Sequence, residues 1–451
     1  MSRRGSLTSA TASPPGLLST HLATRQCAPI FPWASSRGIW SNVRTNSFSP
    51  FSHVPPSGHA EALTGNQSLI KRINSAAILR LVRQEAGLSR ADLAKRSGLT
   101  KSTVSLLVQD LIDEGWLCES EASASNAVGR RPTPLQLDPS RLALMGAEIG
   151  VDYLNVVACN LQGELLGSRQ QPYSPSDLGS TLTALARLIA QQDAALGAQG
   201  WRVLGISVGV PGTVDVHGHR VGVVPNLGWH HQDIEQPLCA ALKRAGVRQS
   251  PVKVLNEANA AALSEYVFGT GAQTNSLVYL SMGIGVGGGI VLGDRLHLGH
   301  DGTAGEVGHT VLQLDGPPCR CGSRGCAETF ISQRAVSLDI TGTPDPVLPI
   351  GELARRVAGG DATAVVAARR AGRYLGMLMQ NICNMLDPAV LVLGGPMVQL
   401  GPVFLDAARE CFAGLQARYA FHTTEVRHCR FGINACAVGA AGAVLHEALM
   451  A

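Results

Sequence analysis

The sequence predicts an α/β protein preceded by a helix-turn-helix module, and three observations support this prediction. From Leu142 onward, apolar strand-like segments alternate with alanine-rich helical segments, which is typical of α/β domains. Residues 66–137 instead have apolar residues at helical spacing, interrupted by tight turns. Residues 1–65 show neither period and are rich in Ser and Pro. A chain of 451 residues is long enough for more than one domain.

The N-terminal segment, residues 1–65, is expected to be a disordered arm or the product of a wrongly chosen start codon. It contains no acidic residue before Glu61, so it superficially resembles a transit peptide, but it lacks a clear amphipathic period. The eleven cysteines of the chain are an odd number and mostly scattered, which favours a reducing cytosol over a disulfide framework. The longest uncharged apolar stretch is interrupted by glycines, so no membrane span is expected.

Residues 89–113 predict the two central helices of a helix-turn-helix, after a first helix that stops at Gly87. Ser89 followed by Asp92 is an N-cap signature, Gly98 breaks the first of the two helices, and Thr100 or Ser102 can cap the second. The second helix has one apolar stripe, formed by Val104, Leu107, Val108 and Leu111. Its other face carries the donors expected of a helix in a DNA major groove, which are Lys101, Ser102, Thr103 and Ser105.

The segment after these helices, residues 115–138, predicts a two-stranded wing with Arg130 and Arg131 at its tip. Arginines at a wing tip are placed to reach phosphates or a narrow minor groove. A three-helix module that binds protein is the alternative, because helix-turn-helix spacing also occurs in such modules. The basic wing favours DNA.

Four soft or borderline metal ligands lie within 18 residues. They are His309, Cys319, Cys321 and Cys326. Three thiolates and one imidazole suit tetrahedral zinc, and the intervening Pro and Gly residues allow the tight turns that convergence needs. A catalytic thiol would not need three cysteines, and a disulfide is disfavoured by the reducing compartment. With all four positions filled by protein, the predicted zinc is structural.

Acids and amides flank this cluster and also open a helix elsewhere in the chain. Glu306 and His309 are three residues apart, Glu328 follows the last thiol closely, and Asn256-Glu257 opens an alanine-rich helix after a strand. Such groups at strand ends in an α/β domain suit a polyhydroxylated ligand. The alternative is a helix cap at Asn256 and solvated surface acids.

From Leu142 to the C-terminus the chain resembles the ROK family of sugar kinases and sugar-responsive repressors. The most specific motif is "GTAGEVGH…CRCGSRGCAE", supported in order by "PGTVD", "PNLGW", "NEANAAALSE" and "LVLGGP". The resemblance implies a two-lobed, actin-like ATPase fold and zinc on the four ligands named above. It also implies sugar hydroxyls held by Asn256, Glu257, Glu306, His309 and Glu328, with Asn226 as a further candidate.

Two departures from the family's kinases matter. Their phosphate-binding turn, Asp-x-Gly-Gly-Thr, aligns here with residues 148–152, where Val151 and Asp152 replace the second glycine and the threonine. This change removes backbone N–H access and adds like charge where phosphate would approach. Glu257 replaces the catalytic aspartate, which displaces the carboxylate by more than ~1 Å. We therefore expect no catalytic residue. The glycines at 283–289 are interpreted as a tight strand connection.

The sequence thus predicts three segments: residues 1–65 as an extension, residues 66–138 as a winged helix-turn-helix, and residues 139–451 as a sugar-sensing domain. The expected function is a cytoplasmic transcriptional repressor that binds operator DNA as a homodimer or homotetramer and is released by a monosaccharide. D-xylose, glucose and N-acetylglucosamine are all compatible effectors. The alternatives are an ATP-dependent sugar kinase with an added DNA-binding module, and a regulator controlled by a protein partner.

Overall fold

The computed structural model describes residues 67–120, 133–174, 177–224, 226–247, 252–269, 274–416 and 423–450. The predicted extension, residues 1–65, lies outside this part of the chain. The N-terminal module consists of three helices and a two-stranded sheet. Its elements are α1 (Gln67–Gln84), α2 (Arg90–Ser97), α3 (Lys101–Asp113), β1 (Leu117–Glu119) and β2 (Leu135–Leu137).

Local signals in the sequence explain where α2 and α3 begin and end. Ser89 and Asp92 form a reciprocal capping box, and Gly98 ends α2 in the left-handed conformation at φ 72°. Thr100 caps α3, its side chain accepting a hydrogen bond from the Thr103 N–H. The predicted stripe of α3 is buried in the module's core. The capping box, the glycine stop and the apolar stripe are confirmed, and Thr100 is the cap of α3.

The first lobe contains a five-stranded sheet with strand order β5-β4-β3-β6-β9. Strands β5, β4 and β3 are antiparallel neighbours, whereas β3, β6 and β9 run parallel. Helices α4 and α5 and the β7-β8 hairpin belong to this lobe. The bounds are β3 (Leu142–Ile149), β4 (Tyr153–Asn160), β5 (Leu165–Pro172), α4 (Leu178–Ala198), β6 (Arg202–Val210), β7 (Arg220–Val224), β8 (Trp229–Asp233), α5 (Glu235–Arg244) and β9 (Val252–Asn256).

The second lobe repeats this topology with strand order β12-β11-β10-β13-β14. Again three antiparallel neighbours are followed by two parallel strands. The duplicated sheet is the two-lobed arrangement that the sequence predicts. The bounds are β10 (Ser276–Met282), β11 (Val286–Leu292), β12 (Arg295–Leu296), α7 (Glu328–Ile331), α8 (Gln333–Thr341), α9 (Ile350–Ala358), α10 (Ala362–Leu386), β13 (Val390–Gly394), α11 (Pro402–Leu415) and β14 (Glu425–His428).

Two helices, α6 (Glu257–Val267) and α12 (Ala435–Met450), lie between the two sheets. Helix α12 packs on β3, β6 and α6, while α6 packs on β10 and β11. Helices α6 and α12 approach each other so closely that only glycine fits at Gly439 of α12, where a Cβ would come within 1.7 Å of the Ala260 carbonyl oxygen of α6. Any relative movement of the lobes must therefore involve these two helices.

One segment, Gly432–Met450, has the length and hydropathy of a membrane span. However, 67% of it is buried inside the protein, where α12 packs against α6 and β3. This burial identifies it as a core helix, and its apolar composition follows from contact with both lobes.

Candidate functional site

The exposed face of α3 is the first candidate site. Lys101, Ser102 and Ser105 are exposed as predicted, while Thr103 is half-buried. The Thr103 hydroxyl lies 2.8 Å from the Thr100 hydroxyl, so it takes part in the helix cap. Three of the four predicted donors thus project from the module, and Thr103 also has a structural task.

The predicted wing is present as the antiparallel pair β1–β2, with Leu117 opposite Leu137. Arg130 and Arg131 lie outside the described residues, so their role stays a prediction. Sequence reasoning missed Leu106, which follows Ser105 on α3 and is 69% exposed. It lies outside the apolar stripe, and that position was the signal that could have identified it.

The predicted metal ligands converge in space. The Nδ1 atom of His309 and the three cysteine Sγ atoms all lie within 4.8 Å of one another. Nδ1 of His309 is 3.6 Å from Sγ of Cys319, and the Sγ atoms of Cys321 and Cys326 are 3.7 Å apart. The 3-10 helix Val307–His309 presents the imidazole, and the Gly- and Pro-containing loop presents the thiols. This cluster of four ligands can bind a metal ion.

The other ring nitrogen of His309 is next to Glu306. Its Nε2 atom lies 3.7 Å from a carboxylate oxygen of Glu306. One imidazole can therefore offer Nδ1 to the metal cluster and Nε2 to a group beside Glu306.

Glu148, Glu257, Glu306 and Glu328 form a series in which the charge of each carboxylate raises the pKa of the one before it. We call this series the glutamate row and the place where its residues meet the cleft. Burial raises the pKa of Glu148 to about 8, and the charge of Glu257 adds to the increase. Burial also raises the pKa of Glu257, helped by Glu306. The pKa of Glu306 is raised by burial, with His309 opposing and Glu328 reinforcing the increase. The row joins β3 of the first lobe, the start of α6, and the loop next to the metal ligands.

The accessibility of this row varies along its length. Glu148 is only 6% exposed, whereas 39% of the Glu306 side chain is accessible within the cleft. The Glu328 Oε2 atom accepts a hydrogen bond of 3.1 Å from the Val286 N–H, which fixes its position. The cleft thus presents carboxyl oxygens and an imidazole, which are the acceptors and donors that sugar hydroxyls need.

The predicted residues Asn256 and Asn226 are placed differently. Asn256 caps α6, since its Oδ1 accepts from the Ala258 and Asn259 N–H groups and its Nδ2 donates to the Gly212 carbonyl. The helix cap offered as its alternative role is therefore present. Asn226 is exposed in the loop between β7 and β8. Contact of either residue with a sugar stays a prediction.

The turn that aligns with the kinase phosphate loop is closed by its own groups. The Gly150 N–H donates to the Tyr153 carbonyl at 2.9 Å, so it is not free to bind a phosphate. The Tyr153 ring covers Gly150, where a Cβ would come within 2.6 Å of a ring carbon. The Tyr153 hydroxyl donates to Glu148 Oε1 at 2.7 Å. Sequence reasoning did not identify this part for Tyr153, because it depends on the contact across the hairpin.

Of the glycines at 283–289, Gly283 and Gly285 lie in the connection between β10 and β11, as interpreted from the sequence, whereas the other three lie within β11. Met282 pairs with Val286, and the Gly283 N–H donates to the Gly285 carbonyl. A Cβ at Gly285 would lie 2.7 Å from Glu328 Oε2, so glycine here makes room for that carboxylate.

Two family models match the chain. One, described as the ROK family, matches residues 144–447, and another, described as winged helix-turn-helix DNA-binding, matches residues 73–117. Among curated relatives, the xylose repressor of Caldicellulosiruptor bescii is 29% identical over 408 residues, covering 85% of this chain and 98% of that protein. The DNA-binding transcriptional dual regulator NagC of Escherichia coli is 27% identical over 379 residues, covering 82% of this chain and 91% of NagC.

Solved structures give the same picture. A ROK family transcriptional regulator, described as a homologue of the E. coli MLC protein, matches with a TM-score of 0.71 and 26% identity over 84% of this chain and 98% of its own. A ROK family glucokinase from Streptomyces griseus, in complex with glucose and AMPPNP, matches with a TM-score of 0.56 and 28% identity over 66% of this chain and 98% of its own. The regulator match extends over the N-terminal module, and the kinase match does not cover as much of the chain.

Proposed function

The chain belongs to the ROK family, and from this premise we propose that it is a sugar-responsive, DNA-binding transcriptional repressor. The observation that supports this most is that one chain joins a helix-turn-helix with an exposed donor face to a cleft with an acceptor-rich glutamate row. The xylose repressor and the ROK family regulator match 85% and 84% of this chain, whereas the glucokinase matches 66% of it.

The effector is a monosaccharide bound in the cleft. Glu257, Glu306, His309 and Glu328 supply its hydrogen-bonding partners, with Asn256 and Asn226 as further candidates. The names of the relatives favour D-xylose and N-acetylglucosamine as the first sugars to test. Because Glu257 follows β9 of the first lobe and Glu328 begins α7 of the second, a sugar that contacts both favours the arrangement in which the lobes are close together.

The DNA-binding surface consists of α3 and the wing. Lys101, Ser102 and Ser105 contact base edges or nearby phosphates, with Thr103 at the helix start, and Arg130 and Arg131 contact the backbone or minor groove. Leu106 adds an apolar contact that suits a thymine methyl group. In the cytoplasm, a homodimer or homotetramer presents two such modules to the two half-sites of an operator. Closure of the cleft changes the spacing of the two modules.

The metal is zinc with a structural role. A tetrahedral site with Zn–S of about 2.3 Å and Zn–N of about 2.0–2.1 Å has S–S edges of about 3.8 Å and N–S edges of about 3.6 Å. The distances of 3.7 Å between Cys321 and Cys326 and 3.6 Å between Cys319 and His309 fit these edges. Zinc would hold the loop that precedes Glu328 and fix the His309 ring for its contact in the cleft.

The chain is not expected to be an enzyme. The closed Gly150–Tyr153 turn and the glutamate at the base position argue against phosphoryl transfer. An ATP-dependent sugar kinase is the second candidate, favoured by the match to the glucokinase. Incubation with ATP and D-xylose, D-glucose or N-acetylglucosamine separates the two functions, because only the kinase consumes ATP at an enzyme-like rate.

The proposed function is tested by the binding of full-length protein to DNA from upstream of its own gene. We expect binding that one of the three sugars weakens. Failure of both the full chain and residues 66–138 to bind this DNA would refute the repressor function.

A further inference from the structure

The DNA-binding module is attached to the first lobe at the C-terminal end of α3. An Nη2–H of Arg202, at the start of β6, donates to the Glu114 carbonyl at 2.6 Å. An Nη1–H of Arg141, just before β3, donates to the Ile112 carbonyl at 3.2 Å. Both arginines thus cap the end of α3, the helix that faces DNA. We therefore expect the end of α3 to move together with the first lobe.

A second attachment joins the module to α6. Arg83, in the last turn of α1, donates from Nη1 to the Tyr266 carbonyl at 3.4 Å and from Nη2 to the Tyr266 hydroxyl at 3.3 Å. Its guanidinium carbon also lies 5.1 Å from the centroid of the Tyr266 ring. One arginine therefore contacts the backbone, the ring and the hydroxyl of the same tyrosine.

Tyr266 connects this contact to the second lobe. Its hydroxyl donates to Asp294 Oδ1 at 2.8 Å, and Asp294 lies in the turn between β11 and β12. His446 of α12 lies 3.0 Å from the Asp294 carbonyl oxygen through its Nε2 atom. Arg83 is thereby linked through Tyr266 to a turn of the second sheet, so the module is held by both lobes.

Helix α6 places the effector candidate Glu257 and the contact residue Tyr266 near its opposite ends. They are nine residues apart, or about 13–14 Å along a helix axis. Residues Ala258–Val267 are all buried, and α6 is packed closely against β11 as well as α12, since a Cβ at Gly289 would come within 2.3 Å of the Ala258 carbonyl. A displacement at Glu257 is therefore expected to move Tyr266, because packed helices shift as units.

The contact between Arg83 and Tyr266, called the joint below, has room to change when Tyr266 moves. Its two hydrogen bonds, at 3.3 and 3.4 Å, are longer than the usual 2.7–3.2 Å range. The Arg83 Nε atom is buried and has no hydrogen-bond partner among the described residues. A displacement of Tyr266 can therefore shorten these contacts and carry the end of α1 with it. The short hydrogen bond from Arg202 to the Glu114 carbonyl holds the end of α3 on the first lobe.

We propose that Arg83 and Tyr266 are positioning residues that transmit closure of the effector cleft to the DNA-binding module, with the Arg202–Glu114 contact as the pivot. This inference rests on the proposed function and adds the route of its regulation. When the second lobe moves relative to the first, Tyr266 moves α1 while the end of α3 stays with the first lobe. The module then turns, and the spacing of two modules in an oligomer changes.

The test compares wild-type full-length protein with Tyr266→Phe and Arg83→Ala, and with Arg72→Ala as a control. Tyr266→Phe keeps the ring and the backbone carbonyl but removes the bonds to Arg83 Nη2 and Asp294. Arg72 is an exposed arginine on the same helix. Operator affinity is measured with and without D-xylose, D-glucose and N-acetylglucosamine, and sugar affinity with and without operator DNA.

In wild-type protein we expect one sugar to weaken operator binding ~10–100-fold, and operator DNA to weaken sugar binding by the same factor, as linkage requires. Both joint variants should bind free sugar within about 2-fold of wild type and reduce this factor to below about 3-fold. Arg72→Ala should keep it. The reciprocal factor is a readout that general destabilisation does not mimic, and thermal unfolding checks that each variant folds.

The inference is overturned if Tyr266→Phe, folded as judged by its melting temperature, retains the wild-type factor in both directions. If none of the three sugars alters wild-type operator binding, the proposed sugar response fails first, and the inference fails with it. These two outcomes are distinguishable because the first concerns the variant and the second concerns the wild type.

Discussion

Replacing Glu148 with Gln should change the pH dependence of stability. Glu148 is 6% exposed, and burial raises the pKa of its carboxyl from an ordinary value of 4.5 to about 8. The hydrogen bond from Tyr153 opposes this increase, and the charge of Glu257 reinforces it. The carboxyl is therefore mostly protonated in the folded protein at neutral pH and ionised in the unfolded chain.

The sign and size of the effect follow from proton linkage. Between pH 4.5 and about 8, the folded state holds a proton that the unfolded state has released, so stability falls as pH rises. The stability is fully present below the unfolded pKa, and the loss is complete above the folded pKa. At about 1.4 kcal/mol for each unit of pKa difference, this single group can remove at most about 5 kcal/mol. Relaxation of the site makes about 2–4 kcal/mol a realistic range.

Denaturant unfolding of wild-type and Glu148→Gln protein at several pH values from 5 to 8.5 measures the effect. Gln cannot ionise but can still accept from the Tyr153 hydroxyl, so the variant should become more stable relative to wild type as pH rises. Its buried amide costs about 1–3 kcal/mol at every pH, so the slope is the informative quantity. Glu410→Gln, at an exposed position on α11, is the control and should follow wild type. Parallel curves for wild type and Glu148→Gln would refute the reasoning.

Three further predictions concern the metal, the effector and DNA. Cys326→Ser should lower the zinc content from about one ion per chain, because about 10–16 kcal/mol of binding free energy shared among four ligands gives a loss on the order of 10²–10³-fold in affinity. Elemental analysis after dialysis measures the zinc content, with Cys411→Ser as the control. Equal zinc in the two variants would contradict this prediction. The Glu306→Ala variant should bind operator DNA within about 2-fold of wild type but bind the sugar at least ~10-fold more weakly, because a charged hydrogen bond contributes about 1.5–3 kcal/mol. Calorimetry measures sugar binding, and a gel-shift assay measures operator binding. An unchanged sugar response would count against the proposed sugar site. Replacing single thymines of the operator with uracil should weaken wild-type binding about 3–5-fold at one position in each half-site, which is the value expected for one buried methyl group. The same replacement should not change the operator affinity of the Leu106→Ala variant. Equal sensitivity of both proteins at every position would exclude the proposed contact.

The parts of the fold that the sequence predicts well depend on neighbouring residues. Ser89, Gly98 and Thr100 define helix ends through contacts within a few residues, so their types and spacing are sufficient. The metal ligands also fall within one short segment. Its convergence needs only the turns that Pro and Gly allow. The family motifs then gave the two-lobed architecture, which periodicity alone does not distinguish from other α/β folds.

Contacts between distant segments were not predictable in this way. The Tyr153 hydroxyl reaches Glu148 only because β3 and β4 pair in one register. The contact between Arg83 and Tyr266 joins residues 183 positions apart. Neither side chain breaks a local rule, so no pattern in the sequence marks it. For Asn256 the local signal predicted the cap, while a second role depends on a ligand that the sequence does not specify.

The proposed repressor function is tested most directly by a fluorescence-anisotropy titration of full-length protein on labelled DNA from upstream of its own gene. The titration is done without ATP and with increasing D-xylose, D-glucose or N-acetylglucosamine. We expect specific binding that one sugar weakens ~10–100-fold, and we expect that sugar to stay unphosphorylated when ATP is added. Absence of specific DNA binding, or consumption of ATP on any of these sugars at an enzyme-like rate, would contradict it.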